Sequence, residues 1–258
     1  MIILKLGGSL LTDKRKRFSI KRNILRRVVS EIKESGKRVI VVHGGGSFGH
    51  PIAKEYQLDR GLFNSFQLLG VALTRSAMQK FNSLIVDEFI SQGMKPISIQ
   101  TSAIVICKKR RISSFNYRIV DKFFSHGFTP ILYGDVVLDE EMGFCICSGD
   151  QLIIELAKKF NPDMVVLATD VDGVFDKDPK KYKDAKLIEK ISIRDIDKVK
   201  FYKIPTDVTG GIKSKIEELA RLAEDGYNSI IINAKVRGRL KKALLGQKVK
   251  GTRIEGEK

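Results

Sequence analysis

The chain has 258 residues, 43% of them hydrophobic, and a formal net charge of +17. This length and apolar fraction suit one large α/β domain or two small ones built around a real core. No apolar run approaches the roughly 18 residues of a membrane span. The first apolar run starts at residue 1 with no basic region before it, so we expect a cytoplasmic protein without a signal peptide or a membrane partner.

Short apolar runs alternate along the chain with amphipathic stretches, which predicts strands alternating with helices. The predicted strands lie within residues 2–6, 38–43, 96–100, 129–147, 163–175 and 228–234. The segment 228–234 is predicted to be the last core strand. A hairpin with a basic tip is predicted over 104–115 and a second hairpin inside 129–147. The predicted helices are residues 19–36, with Ser19 as N-cap and Gly36 as end signal, and residues 65–92, 149–160 and 210–226. This order predicts a mainly parallel sheet covered by helices on both faces.

The positive charge is spread, with its densest clusters at residues 14–17, 108–111 and 177–183. A basic surface attracts nucleic acid, anionic membranes and phosphorylated small molecules alike. No nucleic-acid-binding module accompanies the clusters, so we predict no nucleic-acid partner, and the tip at 108–111 has no role that the sequence assigns. The three cysteines, Cys107, Cys145 and Cys147, form an odd number that does not suit a disulfide framework, and we expect them to be buried.

Polar and glycine-rich segments follow four of the predicted strands. They are Gly7-Gly8-Ser9, His43 to Gly46, Ser148-Gly149-Asp150 and Thr169-Asp170. Ligands of parallel α/β sheets bind beyond the carboxyl ends of the strands. We therefore expect these segments to form one site.

The segment "HGGGSFGH" (43–50) spells G-x-G-x-x-G at Gly44, Gly46 and Gly49. A dinucleotide-binding reading fails, because a long helical stretch follows and the next strand, "PISIQ", does not end in an acidic residue. Consecutive glycines still leave backbone N–H groups free of side chains, so that they can converge on an anion. A phosphate or a carboxylate fits this loop.

Lysines supply the positive charge that such anions need. Lys5 lies inside an apolar strand, where an ammonium is rarely stable without an anionic partner. Lys14 follows the first loop, and Lys213 and Lys215 lie on the first turn of a helix. Phosphoryl transfer depends mainly on positioning two anions in line and neutralising the charge between them, so these residues favour that reaction class.

Five segments in this order resemble the amino acid kinase superfamily: "KLGGS", "VVHGGG", "SGD", "TDVDGVF" and "VTGGIKSK". Within it, "HGGGSFGH" resembles archaeal isopentenyl phosphate kinases, as do "PISIQTSAI" and "PILYGDVV"; fosfomycin kinase is similar in the first segment. The resemblance implies a three-layer α/β/α sandwich with a mainly parallel central sheet. It implies a single domain over residues 1–258, with a substrate lobe at about 1–160 and a nucleotide lobe at about 161–258. It also implies ATP, magnesium, a homodimer, and phosphorylation of isopentenyl phosphate to isopentenyl diphosphate.

The resemblance also implies residue roles. Lys5 and Lys215 match lysines that hold the ATP phosphates; Lys213 is the alternative to Lys215, which the family spacing favours. Lys14 matches a lysine that reaches the transferred group, and Asp150 matches an acid that orients the lysines. His50 matches the donor to the substrate phosphate, whereas His43 is expected to be structural. The substrate-binding set is Gly45, Gly46, Gly49, His50 and Gly149; the ATP-binding set is Lys5, Gly7, Gly8, Ser9, Gly46, Thr169, Asp170, Phe175, Lys180, Gly210 and Lys215; no residue is assigned to a metal.

An apolar substrate tail needs an apolar pocket. The candidates are Leu69, Leu73, Phe81, Ile104 and Phe144, each of which could equally be an ordinary core residue. Three alternatives to the main reading stay open: a related kinase acting on fosfomycin or another alkyl monophosphate, a non-catalytic nucleotide sensor, and a nucleic-acid-binding protein. The lysines and Asp150 disfavour the sensor.

Overall fold

The computed structural model describes residues 1–13, 15–177, 179, 182–192 and 211–256, and the side chains of the helix that begins at Gly211 only from residue 216 onward. Three predicted site residues, Lys14, Lys180 and Gly210, lie outside the described residues. Lys213 and Lys215 are described by their backbone alone. No helix in the described ranges is long and apolar enough to cross a bilayer.

Strands and helices alternate through most of the described chain. The strands are β1 (Ile2–Leu6), β2 (Val39–His43), β3 (Pro96–Ser98), β4 (Val105–Lys108), β5 (Arg111–Phe115), β6 (Thr129–Tyr133), β7 (Asp135–Asp139), β8 (Gly143–Cys147), β9 (Met164–Thr169), β10 (Val174–Phe175), β11 (Leu187–Ile188), β12 (Lys190–Ile191), β13 (Ser229–Asn233) and β14 (Gly251–Ile254). The α-helices are α1 (Gly8–Leu11), α2 (Arg22–Ser35), α3 (Gly46–Glu55), α4 (Phe66–Ser91), α5 (Tyr117–Ser125), α6 (Gly149–Phe160), α7 (Gly211–Glu224) and α8 (Arg239–Leu244).

Eight strands form the main sheet, in the order β12-β14-β13-β9-β1-β2-β6-β3. Its strand pairs are parallel except β13 with β14. Successive strand residues point to opposite faces, so Ile3 joins a core cluster with residues of α5, α6 and α7, whereas Ile2 and Leu4 join a cluster with residues of α2, α3, α4 and α8. The sheet is therefore covered on both faces, which confirms the predicted three-layer sandwich. Lys5 shares the face of Ile3, toward α6.

A second sheet of four strands, in the order β5-β4-β7-β8, contains both predicted hairpins. The three cysteines, Cys107, Cys145 and Cys147, are free and buried within it, as predicted.

Two predictions about the elements were wrong: the start of α2 and the position of the last core strand. Ser19 does not cap α2, which begins at Arg22 after the N-cap Lys21. The Ser19 N–H donates to Ser47 Oγ at 3.1 Å and Ile20 pairs antiparallel with Thr12, so residues 19 and 20 bond to other segments and the helix begins after them. The predicted last core strand is not the last either, because β14 adds antiparallel to β13 and buries Ile254. The end of α2 at Gly36, with φ 62°, is as predicted.

Candidate functional site

Two glycine loops meet at the carboxyl ends of β1 and β2. The first loop is Gly7-Gly8-Ser9 and the second is Gly44-Gly45-Gly46. A Cβ built on Gly8 would lie 2.4 Å from Gly46 N and 2.6 Å from Gly46 Cα, so only glycine permits this approach. The Gly7 N–H donates to Ala168 O at 2.9 Å and the Gly44 N–H to Leu6 O at 3.1 Å, which ties both loops to the sheet.

The second loop runs directly into α3, and most of its first amides are engaged within it. The Ser47 N–H donates to Thr12 Oγ1 at 3.0 Å. The N–H groups of Phe48 and Gly49 both donate to Gly45 O at 3.1 Å. Among the described contacts of this loop, the backbone N–H groups of Gly45 and Gly46 are therefore the candidates for binding an anion.

Gly49 has a packing role in the same loop. A Cβ on this residue would lie 2.8 Å from Met78 Sδ, so the glycine allows α3 to lie against α4. The assignment of Gly49 to the substrate-binding set stays a prediction, which this contact does not support.

His50 lies in α3, partly buried, with its ring beside the second loop. A Cβ on Gly45 would be 3.2 Å from His50 Cδ2. The ring thus lies next to one of the two amides that remain for an anion. This placement fits the predicted role of His50 as a donor to the substrate phosphate.

Lys5 and Asp150 form a buried ion pair at the bottom of the site, where Lys5 is 5% exposed. Asp150 lies in the first turn of α6, which Ser148 caps by accepting from the Gln151 N–H at 3.2 Å. A Cβ on Gly149 would lie 3.2 Å from Val42 Cγ1 and 3.5 Å from Lys5 Cε, so this glycine lets the start of α6 come down onto the lysine. An ion pair removed from water persists only when both charges are well partnered, so the pair fixes the position of Lys5.

A polar network connects the first loop to the end of β9. Ser9 Oγ donates to Asp170 Oδ1 at 2.7 Å, Lys21 Nζ donates to Ser9 O at 2.7 Å, and Lys235 Nζ lies 3.5 Å from Asp170 Oδ2. Burial raises the pKa of Asp170, but the Ser9 hydroxyl and the charge of Lys235 outweigh it and hold the pKa below its usual value. Sequence reasoning missed Lys21 and Lys235, because neither stands in a motif and only the fold brings them to Asp170.

The contacts of Thr169 and Phe175, two other residues predicted to bind ATP, are with neighbouring strands and loops. The Thr169 hydroxyl lies within hydrogen-bond distance of the carbonyls of Val171 and Ile232, at 2.9 and 3.0 Å. Because the hydroxyl is engaged there, Thr169 would contact a nucleotide through its backbone. Phe175 lies in the short β10–β11 pair, opposite Leu187. Their assignment to ATP binding stays a prediction.

His43 lies in the core, as expected. Its ring is fully buried between Phe81 and Tyr133, at ring-centroid distances of 4.9 and 5.3 Å, and its Nε2 lies 3.2 Å from Asn82 Oδ1. Burial lowers the pKa of His43 to about 4 and outweighs the hydrogen bonds that raise it. The residue is therefore neutral at physiological pH and stabilises the strand end from which the second loop starts.

An apolar cluster begins one helical turn beyond His50. Its buried members are Ala53, Leu58, Val136 and Phe144, with Tyr56, Val71 and Ile146 packed against it. Of the residues predicted for an apolar pocket, Phe144 belongs to this cluster. Phe81 lies in the core against His43, Ile104 lies in the core cluster on the opposite face of the main sheet, and Leu69 and Leu73 are 58% and 41% exposed on α4. The sequence missed Ala53 and Val136, because only the packing of α3 against the second sheet brings them together.

Comparison with known proteins identifies the family. The model of the amino acid kinase family matches residues 1–233. The chain belongs to the amino acid kinase family. Isopentenyl phosphate kinase of Methanothermobacter thermautotrophicus is 43% identical over the whole of both chains.

Solved structures of isopentenyl phosphate kinases have the same fold. One is 40% identical with a TM-score of 0.87, covering 98% of this chain and 99% of that one. The T. acidophilum isopentenyl phosphate kinase in a product complex is 31% identical with a TM-score of 0.84, covering 99% of this chain and 100% of that one. The predicted family and fold are confirmed, whereas the roles assigned to single residues stay predictions.

Proposed function

We propose that this amino acid kinase transfers the terminal phosphoryl group of ATP to isopentenyl phosphate, giving isopentenyl diphosphate and ADP. The observation that carries the proposal is the placement of His50: its ring lies beside Gly45, and an apolar cluster begins one turn further along α3. This arrangement suits a phosphate on a short apolar tail. The relatives named isopentenyl phosphate kinase support the same reaction.

This phosphoryl transfer depends more on positive groups placed around the two phosphates than on a general base. The acceptor's phosphate oxygen is already a nucleophile, and a carboxylate beside it would repel it. A histidine that donates a hydrogen bond fits better, because a phosphate dianion nearby favours the protonated imidazole. We assign this contact to His50, with the amides of Gly45 and Gly46 as further donors.

Lysines neutralise the charge that passes between the two phosphates. Lys5 is held by Asp150 under the first loop, and we assign it to the ATP phosphates together with Lys215. We assign Lys14 to the phosphoryl group in transit. Charge stabilisation of this kind is usually the largest part of catalysis in phosphoryl transfer.

Magnesium enters this proposal as part of the substrate MgATP. Mg²⁺ is commonly held by substrate phosphates with a few protein oxygens rather than by a cage of protein ligands. Within the described ranges, no group of three His, Cys, Asp or Glu side chains could hold a metal ion. Asp150 and Asp170 are already bonded to Lys5 and Ser9, so we assign no residue to the ion.

Three further expectations belong to the proposal. We place acceptor binding in about residues 1–160 and nucleotide binding in about 161–258. The two regions adjoin where β1 pairs with β9, next to the first glycine loop. We propose a homodimer in the cytoplasm. Exposed apolar side chains on one stretch of the single chain support a second copy as the partner: Leu62, Phe63, Phe66, Leu69 and Leu73. Light scattering after size-exclusion chromatography measures the mass, and a monomer at micromolar concentration contradicts the dimer.

A panel of acceptors tests the reaction. ADP release is followed with isopentenyl phosphate, other alkyl monophosphates, fosfomycin, acetylglutamate and uridylate. We expect isopentenyl phosphate to give the highest kcat/KM. Turnover only on fosfomycin or on an amino acid would overturn the proposal, and ATP binding without turnover on any acceptor would favour a nucleotide sensor.

A further inference from the structure

The basic tip of the β4–β5 hairpin, which the sequence left without a role, is held rigidly. Lys109 and Arg110 form the turn with φ values of 50° and 66°. The buried carboxylate of Asp139 accepts from the N–H groups of Lys109 at 3.2 Å and Arg110 at 2.7 Å, and also from those of Glu141 and Met142, both at 3.0 Å. One side chain thus joins the tip to the β7–β8 turn.

Arg111, the next residue, reaches from this tip to another element 107 residues away. Its NH1 donates to Glu218 Oε1 on α7 at 2.6 Å. The Glu218 side chain is only 10% exposed, and this charged hydrogen bond takes the place of water at its Oε1. Arg221, one turn further along α7, lies 3.7 Å from Glu218 Oε2 but belongs to the same helix, so it cannot fix α7 against the hairpin.

The rest of the described contact surface of α7 is largely apolar. Ile216, Leu219 and Ala223 pack into the core cluster with residues of α6. Burial of apolar surface is non-directional and tolerates small rotations and shifts of a helix, whereas a short charged hydrogen bond has a narrow geometry. Among the described contacts of α7, the Arg111–Glu218 pair is therefore the one that joins this part of the helix to the β4–β5 hairpin with a narrow geometry.

Glu218 lies three residues after Lys215 on the α7 backbone, less than one helical turn away. We propose that the Arg111–Glu218 ion pair is a positioning contact, which orients the phosphate-binding start of α7 from the β4–β5 hairpin. The inference rests on the proposed function insofar as it takes the start of α7 to contact the ATP phosphates. It makes Arg111 and Glu218 positioning residues, because neither has to touch the nucleotide.

Equilibrium binding of the non-hydrolysable analogue MgAMP-PNP, measured by calorimetry, tests the inference without any acceptor. Couplings of this kind are worth about 2- to 30-fold in affinity, and we expect Arg111→Ala to weaken binding within that range. This variant leaves Glu218 a second cation in Arg221, so it should fold. Its melting curve is recorded to confirm this.

A matched control and a change of opposite charge separate positioning from general electrostatics. Lys158→Ala is the matched control, because it also removes one positive charge and breaks an ion pair at the far end of α7. There Lys158 Nζ lies 3.0 Å from Asp225 Oδ2. The affinity of this variant for MgAMP-PNP should stay within about twofold of wild type, below the range of such couplings. Glu218→Gln removes a negative charge. If only net charge mattered this change would strengthen binding, whereas positioning predicts weaker binding. The double variant R111E/E218R, with unchanged net charge, should recover part of the affinity that R111E loses.

The outcomes are distinct. An Arg111→Ala protein that binds MgAMP-PNP like the wild type overturns the inference, and so does a Glu218→Gln protein that binds more tightly. A wild-type protein that does not bind the analogue contradicts the proposed function instead. Wild-type binding with no turnover of isopentenyl phosphate contradicts the proposed acceptor but leaves the positioning test intact.

Discussion

The close approach of the two glycine loops predicts that Gly8→Ala damages catalysis far more than its size suggests. A Cβ at this position would lie 2.4 Å from Gly46 N, whereas ordinary contacts begin at 3.4 Å. The obstacle is backbone, not the flexible end of a side chain. The interior is close-packed, so the clash can be relieved only if the loops separate by about 1 Å.

The expected loss follows from that displacement. The first loop lies beside Lys5, and the second carries Gly45 and His50. Misplacement of reacting groups by about 1 Å costs on the order of a hundredfold in rate, so kcat should fall about a hundredfold. Overpacking of this kind also costs about 1–3 kcal/mol of folding stability, so the melting temperature should fall, but the protein should remain folded.

Two other glycines complete a graded series. A Cβ on Gly44 would lie 3.2 Å from Gly8 N, which needs only a slight adjustment, so Gly44→Ala should lower kcat far less. Gly36, at the end of α2, has φ +62° and nothing within 4 Å of its Cβ position. Gly36→Ala should cost about 1–2 kcal/mol of stability through its left-handed backbone and leave kcat unchanged.

Steady-state ADP release with isopentenyl phosphate and a melting curve are measured on all three variants. The reasoning would be refuted by a Gly8→Ala enzyme whose kcat stays within a few-fold of wild type. It would also fail if Gly36→Ala lowered kcat as much as Gly8→Ala, because loss of stability would then explain both effects.

Four further predictions concern other parts of the protein. Lys14→Ala should lower kcat about a hundred- to a thousandfold, as when a transition-state contact is lost, with little change in the KM for isopentenyl phosphate. A selective rise in that KM would mean that Lys14 contacts the bound substrate before transfer begins. His50→Ala should raise that KM, and Gln or Asn at 50 should restore part of the binding, because an amide can still donate; an unchanged KM with a lower melting temperature would indicate packing. The pKa of His43 falls from 6.5 to about 4 on folding, so the unfolded chain binds more protons between these values and stability should fall as the pH drops, by about 2 kcal/mol between pH 7 and pH 5. Urea unfolding at both pH values should show a smaller pH effect in His43→Gln, and an equal effect would contradict this role. Finally, any binding of DNA or RNA should be weak, insensitive to sequence and lost steeply as salt rises; tight, sequence-selective binding in a mobility-shift assay at physiological salt would refute it.

The sequence by itself determined the features that depend on local periodicity and on glycine. The helix predicted at 65–92 is α4, Phe66–Ser91, and Gly36 ends α2 in the left-handed conformation. The loops after β1 and β2 were predicted from glycines that follow apolar strands, because strand ends of a parallel sheet gather at one edge. Their meeting at Gly8 and Gly46 agrees with that prediction.

Only the tertiary structure decided which distant residues complete the site. Ser19 was predicted as a helix cap, yet the backbone at residues 19 and 20 bonds to Ser47 and Thr12, and the helix begins only at Arg22. Lys21 and Lys235 converge on Ser9 and Asp170, and Arg111 reaches Glu218, through the packing of elements far apart in sequence. A pattern along the chain reports the period of a helix or strand and the position of a turn. It does not report which side chains face each other once the layers have packed, because that depends on register and on helix orientation, which the whole core sets at once.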